Sequence, residues 1–235
     1  MSLLGALLLG AAATAHVPFV GCAADGQAGW LAAPRARTMS AVPASVAHAL
    51  AWYVSEHDAV LAPRGWHCFE TYGSNGGTLV VAPQPLNFDL IQGPQVSFRG
   101  PIVLSGTSLG GTSGRWAVAA TISRYFPHYR RFVREVRDMD PEITALEPAS
   151  PVGPYRTDHI ISRTQTEIRL FTPAGRRGEG TNFLLAPNRD PVESLIILHP
   201  DEDMDVSTFT VRLPRAQAGL RDVILAEARR RATRH

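Results

Sequence analysis

Residues 100–119 read GPIVLSGTSLGGTSGRWAVA and hold three patterns in a row: an apolar run, a glycine-rich turn and the start of an amphipathic segment. The apolar run from Ile102 to Leu104 is typical of a buried β-strand, whereas the residues that follow Ser113 have the pattern of a helix. Glycine and serine cluster between the two, as they do where a chain turns. The stretch therefore predicts a strand that passes through a tight turn into a helix.

Helical spacing of apolar residues continues from Arg115 to Met139. Pro127 is expected to split this segment into two helices, because proline removes a helical hydrogen bond and clashes with the preceding turn. Another helix is predicted over residues 42–57, VPASVAHALAWYVSEH, which has a proline near its start and apolar residues at helical spacing. A last helix is predicted over residues 215–231.

Short β-type runs fill much of the rest of the chain. A turn at residues 74–77, with a strand on each side, is predicted in the first half, and further strands are predicted at residues 159–171, 194–198 and 207–213. Few of these strands are joined by helices, which is typical of antiparallel pairing. The sequence thus predicts an α+β fold with a largely antiparallel sheet and two or three packed helical segments.

Residues 138–155, DMDPEITALEPASPVGPY, carry four prolines and lie between the mainly helical and the mainly β-type patterns. Proline-rich segments of this kind commonly connect structured units. Residues 16–235 are therefore expected to form a single α+β domain, or two lobes joined by this connection.

The first 15 residues, MSLLGALLLGAAATA, have the pattern of a signal peptide, because an apolar run ends in the small residues Ala13 and Ala15 on either side of Thr14. The run is too short to span a membrane, and no later stretch reaches the ~18 apolar residues that a membrane helix needs. The positive charge that usually precedes such a run is missing, which leaves a buried N-terminal helix as the alternative. The pattern favours export to the periplasm or the medium.

Cys22 and Cys68 are the only two cysteines of the chain, and both follow the predicted cleavage site. In an oxidising compartment such a pair normally forms a disulfide. Closing a loop of roughly 47 residues stabilises a fold by about 4 kcal/mol in the chain-entropy model. The alternative is a lipid anchor on Cys22, since FVGC (residues 19–22) loosely matches a lipoprotein cleavage site, although Phe19 fits that pattern poorly.

Composition excludes several classes of function. The formal net charge of +2 is too small to indicate a nucleic-acid partner. All 23 basic residues are arginine, which excludes Schiff-base lysines, phosphate-loop lysines and Ser-Lys dyads. Histidine, cysteine and acidic residues show no metal-ligand spacing, and no cofactor motif is present, so neither a metal nor a cofactor is expected.

The sequence GTSLG at residues 106–110 fits the GxSxG pattern of serine hydrolases, in which a strand-to-helix turn exposes the nucleophile. In that interpretation Ser108 is the nucleophile, Asp158 or Asp190 the acid and His199 the base, in the usual order of acid before histidine. The hairpins predicted after residue 155 argue against it, since the hydrolase fold needs repeated strand–helix crossovers. We therefore favour a turn without catalytic function.

The same turn could hold an anion at the start of the predicted helix. Backbone N–H groups there, with Thr112 or Ser113 as the cap and Arg115 nearby, form a common anion site that needs no lysine. The structural interpretation is a capped helix start whose glycines allow close packing.

Two segments resemble a group of uncharacterised exported bacterial proteins that share a GC-x-x-DGQ start and a GWxCF-x-TYGS segment. Here these are VGCAADGQAG at residues 20–29 and RGWHCFETYGSNGGTLVVAP at residues 64–83, and the sequences GTSGR (111–115) and VRLP (211–214) are similar too. The resemblance covers most of the mature chain. It implies a shared architecture and brings no known activity.

Taken together, these patterns favour an exported protein with a non-catalytic binding or cell-envelope structural role. Its expected partner is an anionic small molecule or an envelope component, not nucleic acid. The alternative is a secreted serine hydrolase that uses Ser108.

Overall fold

The chain folds around one large, mostly antiparallel sheet, which confirms the predicted α+β class. The computed structural model describes residues 13–93, 97–139, 154–182, 184–201 and 203–233. The strands are β1 (Thr14–Ala15), β2 (Phe19–Gly21), β3 (Ala24–Gly26), β4 (Val42–Pro43), β5 (Leu50–Val54), β6 (Ala59–Pro63), β7 (His67–Gly73), β8 (Gly76–Ala82), β9 (Ile102–Ser108), β10 (His159–Arg163), β11 (Glu167–Thr172), β12 (Val192–His199) and β13 (Asp205–Arg212). The α-helices are α1 (Ala44–Ala47), α2 (Phe88–Gln92), α3 (Arg115–Tyr125), α4 (Arg130–Met139) and α5 (Arg221–Ala232).

The large sheet has eight strands in the order β10-β11-β12-β13-β9-β8-β7-β3. All neighbours pair antiparallel except β3 and β7, which are parallel. Strand β9 therefore lies inside the sheet, between its sequence neighbour β8 and the distant strand β13. The strand predicted from residues 100–119 is the one that joins the two halves of the sheet.

Both faces of the large sheet are covered. One face packs against the three-stranded sheet β2-β5-β6 and helix α5, and together they bury the largest apolar cluster of the described residues. We call this the α5 face. Helices α3 and α4 cover strands β11 and β12 on the other side, which we call the α3 face.

The predicted helix at residues 42–57 is wrong. The segment forms the short strand β4, one turn of helix α1 and then strand β5. Every residue of β5, LAWYV, is buried, because the strand is covered on both of its faces. A fully buried strand is apolar at each position and shows no alternation, so its pattern also matches helical spacing.

The predicted turn at residues 106–110 begins too early, because residues 106–108 still belong to strand β9, paired with β8 and β13. Most of the other elements follow the prediction. Pro127 lies in a short 3₁₀ turn (Pro127–Tyr129) that separates α3 from α4. Strands β7 and β8 form the predicted hairpin, and strands β10 to β13 form successive antiparallel pairs. The last predicted helix begins as a 3₁₀ helix, Arg215–Leu220, and continues as α5.

Two predictions fall at the borders of the described residues. Residues 140–153, which hold most of the predicted proline-rich connection, lie outside them, and so do residues 1–12 of the predicted signal peptide. Thr14 and Ala15 form strand β1, which pairs with β4. Cleavage after Ala15 would remove this strand.

Cys22 and Cys68 form the predicted disulfide, with their Cα atoms 5.3 Å apart. Cys22 lies between β2 and β3, and Cys68 lies in β7. The bond closes a sequence separation of 46 residues and fastens the N-terminal arm to the edge of the large sheet, beside the parallel pair of β3 and β7.

Arg212, at the end of β13, is completely buried. Its Nε donates to the carbonyl oxygen of Gly100 (2.8 Å), Nη1 donates to that of Ala186 and Nη2 to that of Phe98 (2.6 Å each). Burial lowers the pKa of the guanidinium to about 10. One side chain thus joins the segment before β9 to the segment before β12.

The turn between β9 and α3 packs tightly against the turn between β12 and β13. A Cβ atom at Gly110 would lie 2.0 Å from the carbonyl oxygen of Asp203 and 2.7 Å from that of Met204. At Gly111 it would lie 2.6 Å from Oδ1 of Asp203, which is an exposed side chain that can rotate away. The two glycines therefore differ: backbone atoms block a side chain at the first, and a movable side chain does so at the second.

We predict that Gly110→Ala lowers stability by roughly 1–3 kcal/mol, the usual cost of overpacking a site that cannot relax. Gly111→Ala should stay within about 0.5 kcal/mol of the parent, as most surface substitutions do. Urea unfolding of the three proteins measures both values. Equal stability of the two variants would show that the turns do not pack as described.

Candidate functional site

A cavity of about 620 Å³ lies on the α3 face of the large sheet, between strands β7, β8, β9 and β13 and helix α3. Its volume falls within the range of small-molecule sites, about 300–1,000 Å³. Hydroxyl groups in the lining come from Thr71, Thr78, Ser108, Ser113, Thr208 and Thr210, while the side chain of Thr107, which pairs with Ser207, points to the opposite face of the sheet. Asn75 and Gln92 add amides, and Tyr72 and Trp116 add aromatic rings.

The floor of the cavity is a row of residues that lie directly opposite one another on four neighbouring strands. Thr71 pairs with Thr78, Thr78 with Gly106, and Gly106 with Thr208. Residues paired in this way point to the same face of a sheet. Strand register therefore brings together three threonines from distant parts of the chain, with a glycine between two of them.

Gly106 leaves the centre of this floor open. A Cβ atom there would lie 3.6 Å from the carbonyl oxygen of Gly77 and 3.6 Å from Oγ1 of Thr78, which are ordinary contacts. Glycine inside a strand often marks a close approach by backbone or by a ligand. No backbone among the described residues approaches closely here, so the space above Gly106 belongs to the cavity.

Helix α3 forms the roof of the cavity. Trp116, Ala117 and Ala120 border the cavity, while Val118 and Ile122 pack into the apolar cluster over β11 and β12. The helix is thus fixed by its larger side chains on one side. Its alanines keep the roof away from the floor on the other.

None of the described residues that line the cavity carries a formal charge. Its chemistry is that of hydroxyl and amide groups, which can both donate and accept hydrogen bonds, beside an indole ring. Such a lining binds and orients a ligand, and no carboxylate, imidazole or guanidinium is present in it to transfer a proton.

The structure does not bring the predicted triad together. Ser108 lines the cavity on the α3 face, where it pairs with Val206. His199 pairs with Asp205, the residue before Val206, and so points to the opposite face, where its Nε2 lies 2.9 Å from Oγ of Ser207. The interpretation of Ser108 as a nucleophile with His199 as its base therefore lacks the required contact.

Neither predicted acid lies near Ser108. Oδ1 of Asp158 accepts a hydrogen bond from the hydroxyl of Thr172 on β11, three strands from β9, or roughly 14 Å at the usual strand spacing. Asp190 precedes β12 at the end opposite His199, roughly 20 Å or more away along the strand.

Asp158 belongs to a charged cluster at the β10–β11 edge of the sheet. Its Oδ2 accepts from the backbone N–H of Glu179, and the Glu179 carboxylate accepts from the hydroxyl of Tyr125. Burial raises the pKa values of Glu179 and Tyr125. Arg124 stacks on the ring of Tyr155, 4.2 Å from its centroid. These contacts fasten the end of α3 to the sheet edge.

The predicted anion-binding residues are only partly assembled. The N-cap of α3 is Gly114, so the expected position of Thr112 or Ser113 as the cap is wrong; the hydroxyl oxygen of Thr112 accepts from the N–H of Gly114 at 3.2 Å, before the first turn of the helix. The hydroxyl of Thr112 donates to the carbonyl oxygen of Leu109. Nε of Arg115 donates to the carbonyl oxygen of Thr112 at 2.6 Å, and of the three predicted residues only Ser113 lines the cavity.

A second polar cluster, which the sequence analysis missed, lies on the α5 face. Nδ1 of His57 lies 3.0 Å from Oε2 of Glu70, and their side chains are 48% and 1% exposed. Asp58, beside His57, is hydrogen-bonded to the buried Ser105. These residues come from three separated segments, and only the packing of β5 and β6 on the large sheet brings them together.

The carboxyl group of Asp58 is held in an unfavourable environment for its charged form. Burial raises its pKa from 3.8 to about 6, although hydrogen bonds from Ser105 and from the N–H of Ala59 lower it. The nearby charge of Glu70 raises it further, and Arg231 lowers it.

Within the described parts of the chain, no group of three or more His, Cys, Asp or Glu residues is placed to hold a metal ion. No helix in the same ranges is both long and apolar enough to cross a bilayer. Comparison with known protein families, with curated proteins and with solved structures finds no match to this chain. The resemblance to exported bacterial proteins therefore stays a prediction.

We predict that Asp58→Asn stabilises the protein at neutral pH. The wild-type carboxyl binds a proton more tightly when folded, so its contribution to stability is fully present below pH 3.8 and is lost as the pH rises through about 6. The variant has no such loss. Its free energy of unfolding should therefore exceed that of the wild type by up to about 3 kcal/mol at pH 8 and by little at pH 3.5. Urea unfolding at both pH values measures the difference.

Asp201→Asn is the matched control, since this carboxyl is exposed in the turn between β12 and β13. This substitution should change the free energy of unfolding by the same small amount at pH 3.5 and at pH 8. A variant of Asp58 that is less stable than the wild type at pH 8 would contradict the buried environment described for this carboxyl.

Proposed function

We propose that this chain is an exported binding protein whose ligand occupies the cavity between α3 and strands β7, β8, β9 and β13. The proposal rests on the position of Gly106 in the floor of the cavity. This glycine leaves the middle of the large sheet open beneath a cavity of about 620 Å³, although the surrounding backbone would accept a side chain. A fold that needed only a packed sheet would gain strand stability and apolar contacts from a larger residue here.

Export is supported by the Cys22–Cys68 disulfide, because such bonds persist in oxidising compartments. The apolar N-terminal sequence supports it too. We place the protein in the periplasm or the medium, and a lipid anchor on Cys22 conflicts with the disulfide because both need the same sulfur.

A binding role is favoured over catalysis by the character of the lining. General acid–base catalysis needs a titratable side chain within hydrogen-bond reach of the reacting group. The described lining offers only hydroxyl groups, amides and the phenol of Tyr72, whose hydroxyl already donates to the carbonyl oxygen of Gly29 at 2.6 Å.

We predict that Gly106→Val abolishes ligand binding while the fold persists. Its Cβ meets no atom closer than 3.6 Å, and valine favours strands, so the ligand-free variant should melt at or above the wild-type temperature. The test is thermal unfolding in the presence of a panel of neutral sugars, nucleosides, carboxylates, phosphates and amines. A compound at 100 times its Kd stabilises by about 2.7 kcal/mol, which raises the melting temperature by roughly 5–10 °C for a domain of this size.

Gly100→Ala is the matched control, because a Cβ atom there meets nothing within 4 Å and the residue does not line the cavity. Each compound that raises the melting temperature of the wild type should raise that of Gly100→Ala by the same amount. If no compound shifts the wild type, or if Gly106→Val keeps the same shifts, the proposed function is wrong.

A second candidate, a secreted serine hydrolase, is favoured by one observation: Ser108 lines the cavity. We nevertheless predict that a fluorophosphonate probe does not label this serine, because His199 points to the other face of the sheet. Intact mass spectrometry after incubation with the probe measures labelling. An adduct that disappears in Ser108→Ala would favour the hydrolase over the binding protein.

A further inference from the structure

The cavity selects against charge. A charged group that leaves water needs an opposite charge or several hydrogen bonds from oriented donors to offset its lost hydration. The described lining has no charged side chain, and Arg115, the cation nearest in sequence to Trp116, turns its Nε to the carbonyl oxygen of Thr112. A carboxylate, phosphate or ammonium ligand would therefore be poorly compensated here.

The floor presents hydroxyl groups on both sides of Gly106. Thr71, Thr78 and Thr208 stand on three strands of one row, and Ser108 and Thr210 lie on the same face in the adjacent rows. Each hydroxyl can donate one hydrogen bond and accept two. A ligand that satisfies such a surface must itself carry several groups that both donate and accept, close together and without charge.

The roof of the cavity carries the aromatic side chain of Trp116, on α3, and Leu104 of β9 adds an apolar side chain to the floor. A ligand with hydroxyl groups at its edge and a flat C–H face can meet both surfaces, because the ring of tryptophan is a large apolar contact area. Sugar rings combine these two properties.

We propose that the cavity binds an uncharged saccharide, with its hydroxyl groups over the threonine row and its C–H face toward Trp116. This inference rests on the proposed function, since it names the ligand of the same cavity. It replaces the anionic ligand that the sequence alone had led us to expect with a neutral one. For an exported protein, such a ligand is a free sugar or a neutral unit of a polysaccharide.

Isothermal titration calorimetry with four sugars that share the ring configuration of glucose tests the role of charge. Glucose and N-acetylglucosamine are neutral, and glucuronate and glucosamine are their charged analogues; the β-1,4-linked dimers cellobiose and chitobiose extend the neutral set. We expect at least one neutral sugar to bind ten or more times tighter than its charged analogue. Free sugars that bind as well as their dimers would identify a monosaccharide site, and preference for the dimers would identify a polysaccharide.

Thr78→Val and Thr208→Val test the threonine row, because valine keeps the shape of threonine and removes its hydroxyl. Each should weaken the binding of that neutral sugar roughly threefold to tenfold, the usual range for one hydrogen bond. Thr166→Val is the matched control, since Thr166 lies between β10 and β11, outside the cavity, and it should bind like the wild type.

Three results would overturn the saccharide assignment. They are tighter binding of a charged sugar, tighter binding of the neutral nucleoside adenosine, and no heat with any of the sugars. The first two leave the proposed function standing, since the cavity then binds another class of ligand. In the third case the broader panel with Gly106→Val decides separately whether the cavity binds anything.

Discussion

The α3 face of the sheet depends on the buried guanidinium of Arg212. Its hydrogen bonds to three backbone carbonyl groups hold the segment around Phe98 against the segment around Leu185, which also form a parallel bridge. A buried cation without these carbonyl groups would cost several kcal/mol, and the carbonyl groups without the cation would lose their hydrogen bonds. Each half of the arrangement therefore requires the other. The hydrogen bonds of Arg212 hold together the two segments that bring Phe98 and Leu185 into the apolar cluster at this end of the face, which also includes Leu104.

The α3 face is divided into three zones. Apolar clusters lie at both ends, one under α3 and α4 and the other near Arg212, and the polar cavity lies between them. Because each end is packed by large side chains, the hydroxyl groups of the middle zone do not have to hold the fold together. Polar groups that are not needed to stabilise the fold are available to form hydrogen bonds with a ligand.

The sequence was sufficient for features that depend on local pattern. The β9 strand, its turn into α3, the split at Pro127 and the later hairpins all follow from such patterns, and the disulfide follows from there being only two cysteines. The helix predicted over β5 failed because a strand buried on both faces has no periodicity of its own. The cavity could not be predicted, since Thr78 and Thr208 are 130 positions apart and only strand register brings them to one row. One signal was present: Gly106 directly follows an apolar strand pattern, and the sequence predicts it to be part of a turn, whereas it lies inside β9.

The position of β9 has a consequence for the order in which the molecule assembles. Its neighbour β8 precedes it in the chain, but its other neighbour, β13, is synthesised about a hundred residues later, and the strand between β13 and β11 also comes from that late half. Until the C-terminal half arrives, β9 is an unpaired edge of apolar residues, which is the kind of surface that joins other chains. Pairing across such a distance is slow, because the loop must close before any contact stabilises it. The threonine row of the cavity is therefore completed only when β13, the last of the described strands, inserts beside β9.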